Sequence, residues 1–161
     1  AGVAVFRGVP FAADTGGENR WRPPQPRQPW TTPYDATTNG YGCVQAHHNP
    51  DVPCDGKAPL PGQKCQSEDC LNVNVYCPQK PSPDPNGYPV MFWIYGGAYE
   101  EGMNWGPLNL YDGTELASRG DVCVVGTNYR LGVLGFAVLG DGAEGNQAIQ
   151  DQRAAMVWTQ H

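Results

Sequence analysis

Pro89-Val-Met-Phe-Trp-Ile94 is a continuous apolar and aromatic run, and Tyr95-Gly96-Gly97-Ala98-Tyr99 follows it directly. The run predicts a central β-strand that is buried on both faces. Paired glycines just past a strand let backbone N–H groups approach a reacting carbonyl, which is how an oxyanion hole for acyl transfer is built. A turn after a strand also needs glycine for steric reasons alone, so the stretch by itself leaves both interpretations open.

Other strands and helices are predicted on both sides of this run. Hydrophobic alternation predicts an edge strand that ends at Pro10 and a strand with one wetter face from Leu71 to Tyr76. The remaining segments are a second buried strand over 122–128, a short helix over 110–118 and a closing helix over 147–160. Strands and helices that alternate in this way predict an α/β layered fold.

Charge and hydropathy exclude two classes of partner. The 161 residues carry a net charge of −6, and no basic run is present to collect phosphates, which argues against nucleic acid. The richest apolar stretch, Leu131 to Leu139, is broken by glycines and is too short to cross a bilayer, so no membrane span is predicted.

Six cysteines in a chain of this size indicate an oxidising compartment. Four of them lie in one polar, proline-rich loop, and Cys77 and Cys123 lie in two apolar strands, where buried free thiols are the favoured interpretation. His47 and His48 share the loop, which raises a metal site as an alternative. The spacing does not match paired Cys-x₂-Cys units, and we predict neither a metal nor a cofactor.

Several longer segments carry a family resemblance. They are Gly8-Val-Pro-Phe-Ala12, Arg20-Trp-Arg-Pro-Pro-Gln-Pro26, Ser67-Glu-Asp-Cys-Leu-Asn-Val-Asn74, Asn128-Tyr-Arg-Leu-Gly-Val-Leu-Gly-Phe136, and Gly145-Asn146 with Asp151-Gln152. In this order and spacing the chain resembles the type B carboxylesterases, the family that includes the cholinesterases. The resemblance implies the N-terminal portion of an α/β-hydrolase fold, with a mixed, mostly parallel sheet and long disulfide-bound loops.

The resemblance also implies roles for individual residues. It places the oxyanion donors on the backbone N–H groups of Gly97 and Ala98, with Gly96 permitting the turn. It matches two structural ion pairs, Arg20 with Glu68 and Arg130 with Asp151.

Disulfide pairing follows from the same resemblance. Cys43 and Cys70 match the first disulfide of the family, which leaves Cys54 with Cys65 as a nested second bridge. The family topology makes the strands of Cys77 and Cys123 neighbours, so a third bridge between them stays open.

The Gly-x-Ser-x-Gly elbow that carries the nucleophile in this family lies beyond His161. Ser67, Ser82 and Ser118 lack the flanking glycines, so we expect no Ser-His-acid triad within this chain alone. Residues 1–161 are therefore expected to be the N-terminal fragment of a single carboxylesterase-like domain. That domain is incomplete without a C-terminal segment, and an open parallel sheet edge predicts a second polypeptide segment packed against it.

Two departures from the family bear on substrate. Glu100 and Glu101 follow the glycine turn, where solvent-facing charge is favoured over the alternatives of a preference for cationic substrates or a site that no longer catalyses. Residues 44–69 contain no aromatic side chain that could bind a quaternary ammonium, which disfavours choline esters.

The resulting hypothesis is a secreted or lumenal chain that contributes the oxyanion loop to a hydrolase of small-molecule esters. The alternative is a non-catalytic, cholinesterase-like module for adhesion or assembly.

Overall fold

The computed structural model describes residues 2–45, 66–106 and 109–160. Its elements in chain order are β1 (Val3–Pro10), a 3₁₀ turn (Gly17–Asn19), β2 (Gly42–Cys43), β3 (Gln66–Ser67), β4 (Asn72–Pro78), β5 (Val90–Ile94), α1 (Thr114–Gly120), β6 (Cys123–Thr127), α2 (Gly132–Phe136), β7 (Val138–Gly140), β8 (Ala143–Glu144) and α3 (Gln147–Thr159).

The main sheet is mixed, as predicted, with strand order β1-β4-β6-β5. In this sheet β1–β4 and β4–β6 are antiparallel and β5–β6 is parallel, so the expectation of a mostly parallel sheet is wrong for the described residues, because the N-terminal strands β1 and β4 pair antiparallel. Outside this sheet, β2 and β3 form a short parallel pair. Successive side chains along each strand point to opposite faces of the sheet, and helices pack on both faces. Val73 and Val125 pack with Ala148 and Ala155 of α3. On the other face, Tyr76 and Val124 pack with Ala117 of α1.

The prediction that β5 is a central strand buried on both faces is wrong for this chain. Strand β5 lies at the end of the sheet, and no strand of the described residues pairs with its outer edge. Its side chains remain open, with Met91 49% and Trp93 47% exposed. An apolar sequence indicates that a strand has to be buried, but it does not show which residues bury it. Among the described residues, β5 has a pairing partner, β6, on one edge only. The expected open parallel edge is therefore present.

The predicted wetter face of β4 is also wrong, because its asparagines are buried. Asn74 is fully buried and Asn72 is 4% exposed. The Asn74 carboxamide accepts a hydrogen bond from the Gly8 N–H at 2.8 Å and donates to the Asn39 side chain at 3.0 Å. Partnered amides can occupy an interior position that the alternation pattern assigns to solvent.

The structure contains the predicted Cys43–Cys70 disulfide, which links β2 to the approach of β4. It corrects the favoured interpretation of Cys77 and Cys123 as free thiols, because they form a second disulfide. The β4–β6 register pairs Tyr76 with Val124, so the next position sets Cys77 opposite Cys123. Composition alone does not reveal a strand register. Cys54, Cys65, His47 and His48 lie outside the described residues.

No helix in the described ranges combines the length and apolar character needed to cross a bilayer.

Candidate functional site

The loop after β5 is a tight, glycine-dependent turn. Gly97 has a φ of +137°, and Ala98 and Tyr99 have φ values of +54° and +63°. The Glu100 and Glu101 N–H groups both donate to the Gly97 carbonyl, at 2.9 and 3.1 Å. A Cβ atom on Gly97 would lie 2.1 Å from the Glu101 carbonyl oxygen, so only glycine fits there. A Cβ atom on Gly96 would meet no atom within 4 Å in the described residues, and its φ is not positive, so the prediction that Gly96 permits the turn is wrong and Gly97 is the glycine that the turn requires. We call residues 96–102 the oxyanion loop, after the role predicted from the sequence.

Four consecutive N–H groups of the oxyanion loop, from Gly96 to Tyr99, have no hydrogen-bond partner among the described residues, and the two predicted donors are among them. Among the hydrogen bonds formed by the described residues, none uses the Gly97 or Ala98 N–H. Ala98 is exposed and Gly97 is partly exposed, so a ligand can reach both residues. Adjacent backbone N–H groups held on a defined turn are suited to bind an oxyanion or a polarised carbonyl oxygen.

A pair of stacked tyrosines supports the start of this loop. The Tyr95 and Tyr129 rings lie 4.5 Å apart and are buried. The Tyr129 hydroxyl donates to the Tyr95 carbonyl at 2.8 Å, and the Tyr95 hydroxyl donates to the Tyr129 carbonyl at 3.3 Å. Burial raises the pKa of Tyr129 to about 12 and the pKa of Tyr95 well above its ordinary value. Both phenols therefore remain neutral donors at physiological pH.

The far side of the turn is held by the chain after β6. The Gly132 N–H donates to the Tyr99 carbonyl at 2.8 Å. The Tyr99 ring meets Tyr129 and Phe136 edge-on, with centroid separations of 6.2 and 5.1 Å. The sequence analysis did not predict this support, although Tyr129, Gly132 and Phe136 lie in one of the segments that carry the family resemblance.

Buried asparagines anchor the segment that leaves the loop. The Asn104 N–H donates to the Asn128 side-chain oxygen at 2.8 Å, and the Asn104 amide donates to the Asn72 carbonyl and side-chain oxygens, both at 3.1 Å. Asn128 donates in turn to the Tyr41 carbonyl at 2.9 Å. These bonds fix the exit of the loop to β4 and to the end of β6. This network was not predicted from the sequence, and of the two asparagines of β4 only Asn72 belongs to it.

Glu100 and Glu101 are exposed at the rim of the loop. Neither forms a salt bridge with another described residue. Their exposure agrees with the solvent-facing interpretation favoured from the sequence.

The two predicted ion pairs form, but in different environments. Arg130 and Asp151 are 3% and 0% exposed, and the guanidinium donates to the carboxylate at 2.8 and 2.7 Å. Burial raises the pKa of Asp151, and the hydrogen bonds and charge of Arg130 oppose that rise. Arg20 and Glu68 lie nearer the surface, with side chains that are 42% and 24% exposed. Their two hydrogen bonds, at 2.7 and 2.6 Å, raise the pKa of Arg20.

The serines of this chain make local hydrogen bonds. Ser67 and Ser82 accept from the N–H groups of Asp69 and Asp84, and Ser118 donates to the Glu115 carbonyl. The three histidines of the sequence lie outside the described residues. The described part of the chain thus presents exposed main-chain N–H donors without a serine–histidine pair.

Comparisons with known proteins agree with this architecture. The family model described as "Carboxylesterase family" matches residues 1–161. The chain is 43% identical over 162 aligned positions to carboxylesterase 3 of Homo sapiens, which covers 98% of this chain and 27% of that protein. It is 38% identical over 160 positions to acetylcholinesterase of Electrophorus electricus, which covers 98% of this chain and 25% of that protein. A solved structure of PNB esterase superposes with a TM-score of 0.80 at 39% identity, covering 98% of this chain and 30% of that one. The chain therefore spans between a quarter and a third of the length of these proteins.

Proposed function

The chain belongs to the carboxylesterase family, and on that basis we propose that it is the N-terminal part of a serine carboxylic-ester hydrolase. In this proposal, residues 96–98 form the oxyanion hole. A further polypeptide segment completes the domain and supplies the serine nucleophile with its histidine and acidic partners.

The observation that carries this proposal is that the Gly97 and Ala98 N–H groups have no hydrogen-bond partner among the described residues. When a serine attacks an ester carbonyl, the carbonyl oxygen becomes negatively charged in the tetrahedral intermediate. Two donors that are already fixed stabilise this charge without reorganising, and the loss of one such donor typically costs about 2.7–4 kcal/mol of barrier. Collapse of the intermediate expels the alcohol and leaves an acyl-enzyme, which water then hydrolyses at the same hole.

The open edge of β5 supports a proposal for where the completing segment packs. A strand that pairs with this edge would cover unpaired backbone groups and the exposed side chains of Met91 and Trp93. We propose that the strand and helix carrying the nucleophile occupy this place, next to the oxyanion loop.

Small, uncharged esters are the proposed substrates, because residues 44–69 hold no aromatic side chain for a quaternary ammonium. Two disulfides in the described residues favour a secreted or lumenal site of action.

The proposal is tested with the protein that contains the completing segment, using p-nitrophenyl acetate and a serine-directed organophosphate. We expect hydrolysis that the organophosphate abolishes. Gly97→Ala should lower kcat by about 10²–10³-fold, because the new Cβ displaces the turn that holds the donors. Gly120→Ala is the matched control, because a Cβ there meets only Val122 at 3.5 Å, at the end of α1. Absence of hydrolysis and of organophosphate labelling would favour the non-catalytic adhesion module instead.

A further inference from the structure

One side chain links the loop that the Cys43–Cys70 disulfide closes, here called the disulfide-bound loop, to the oxyanion loop. The Gln45 side-chain oxygen accepts a hydrogen bond from the Gly102 N–H at 2.9 Å, and the Gln45 amide donates to the Gly102 carbonyl, also at 2.9 Å. A carboxamide that bonds both polar groups of one residue fixes the position and orientation of that backbone, much as a neighbouring strand would. Gln45 therefore clamps the last residue of the oxyanion loop.

The clamp is itself held close to the Cys43–Cys70 disulfide. Gln45 lies two residues after Cys43, and its amide makes an additional bond to the Cys43 carbonyl at 2.9 Å. Its backbone N–H donates to the side chain of Gln66 in β3 at 3.2 Å. Because Cys43 and Cys70 are both 1% exposed, the base of the clamp is buried and covalently cross-linked.

The clamped residue lies against the start of the loop. Gly102 has a φ of +121°, and a Cβ atom on it would lie 2.5 Å from the Tyr95 ring and 3.0 Å from the Gly96 carbonyl oxygen. The two ends of the loop are therefore in contact, with no room between them for one carbon atom. A shift of Gly102 must be passed on to Tyr95 and Gly96, and so to the donors that follow.

We propose that Gln45 is a positioning residue for ester hydrolysis, which holds the Gly97 and Ala98 donors in place through Gly102. This inference rests on the proposed function. It goes beyond that function in assigning the disulfide-bound loop a direct part in shaping the oxyanion hole. An error of about 1 Å in the position of a catalytic group can cost as much as 10²-fold in rate, so a clamp of this kind has measurable consequences.

The test replaces Gln45 by methionine, which keeps the length of the side chain and removes its hydrogen bonds. In the protein with its completing segment, Gln45→Met should lower kcat for p-nitrophenyl acetate at least tenfold and change KM less than twofold. The matched control is Gln25→Met, because the exposed Gln25 side chain bonds only to the nearby Pro23 carbonyl. A wild-type kcat in Gln45→Met would overturn the proposal while leaving the esterase function intact.

A second readout keeps the proposal testable if the protein has no esterase activity. Hydrogen exchange of the peptide that spans residues 95–102 reports the bonded N–H groups of Glu100, Glu101 and Gly102. These amides should exchange at least tenfold faster in Gln45→Met than in the wild type and in Gln25→Met, while the amides of α3 keep their wild-type rates. Unchanged exchange in the loop would refute the clamp, and faster exchange throughout the protein would show a general loss of stability instead.

Discussion

Ala98 combines a proposed catalytic role with an unfavourable backbone conformation. Its φ of +54° lies in the left-handed region, where a Cβ atom costs an L-residue roughly 1–2 kcal/mol. Since the proposed donor belongs to the main chain, the methyl group has no part in binding an oxyanion. Alanine at this position was visible in the sequence, but its positive φ was not, because that value is set by the turn that Glu100 and Glu101 close.

Ala98→Gly should therefore stabilise the folded protein by up to about 1 kcal/mol, since relief of the strain exceeds the extra entropy of glycine in the unfolded chain. Urea unfolding of the wild type and the variant gives this difference directly. Ala154→Gly, inside α3, is the matched control and should destabilise the protein by about 1 kcal/mol. Equal destabilisation by both substitutions would show that Ala98 is not strained.

The Arg130–Asp151 pair should matter far more to stability than pairs on the surface. Asp151→Asn leaves the Arg130 guanidinium, which is 3% exposed, without a counter-charge, and we expect a loss of about 3–5 kcal/mol in the free energy of unfolding. Glu115→Gln is the comparison, because its partner Arg119 is 80% exposed and surface pairs of this kind often contribute nothing measurable. Similar losses from the two variants, measured by denaturant unfolding, would contradict the distinction.

At the scale of elements, the disulfide between Cys77 and Cys123 joins β4 to β6 across a sequence separation of 46 residues. Closing a loop of that length in the unfolded chain is expected to stabilise the fold by roughly 2–4 kcal/mol. The free energy of unfolding should fall by about this amount in Cys77→Ser, in Cys123→Ser and in the double variant, because each of them removes the same bond. Thiol titration of the unfolded, unreduced wild type should find both cysteines blocked. Additive losses, together with two titratable thiols, would mean that the cysteines are free.

The strands of the main sheet and the long helix α3 could be predicted from hydrophobic periodicity, whereas most of the short elements and the order of the strands in the sheet could not. Strands β1, β4, β5 and β6 and helix α3 lie close to where the pattern predicts them. The short helix α2 was not predicted, because its five residues, Gly132–Phe136, include two glycines. The apolar composition of β5 predicts an interior strand, because composition indicates that a strand has to be buried but does not give its position in the sheet. For the same reason, the Cys77–Cys123 bond could be inferred only once the β4–β6 register was known.

For the candidate site, sequence motifs predict the donors but not the residues that hold them. Residues 96–98 stand out in the sequence because two adjacent glycines are unusual directly after an apolar strand. The supports are Tyr129, Gln45 and the buried asparagines. They bond to Gly102 and to Tyr95 and Asn104 on either side of the loop, from 24 to 57 positions away along the chain. Such contacts depend on tertiary packing, and a single sequence carries no direct signal for them.

For the whole molecule, the described residues form an α/β layer with helices on both faces and one open edge beside the oxyanion loop. The central claim is that the Gly97 and Ala98 amides bind the oxyanion formed when a serine from the completing segment attacks an ester. The most direct measurement is a crystal structure of the completed protein with a trifluoromethyl ketone, which forms a stable tetrahedral adduct with an active-site serine. We predict that the adduct oxygen lies about 2.7–3.1 Å from both the Gly97 and the Ala98 nitrogen atoms. An adduct whose oxygen is bound by other donors, with these two amides facing solvent, would contradict the account.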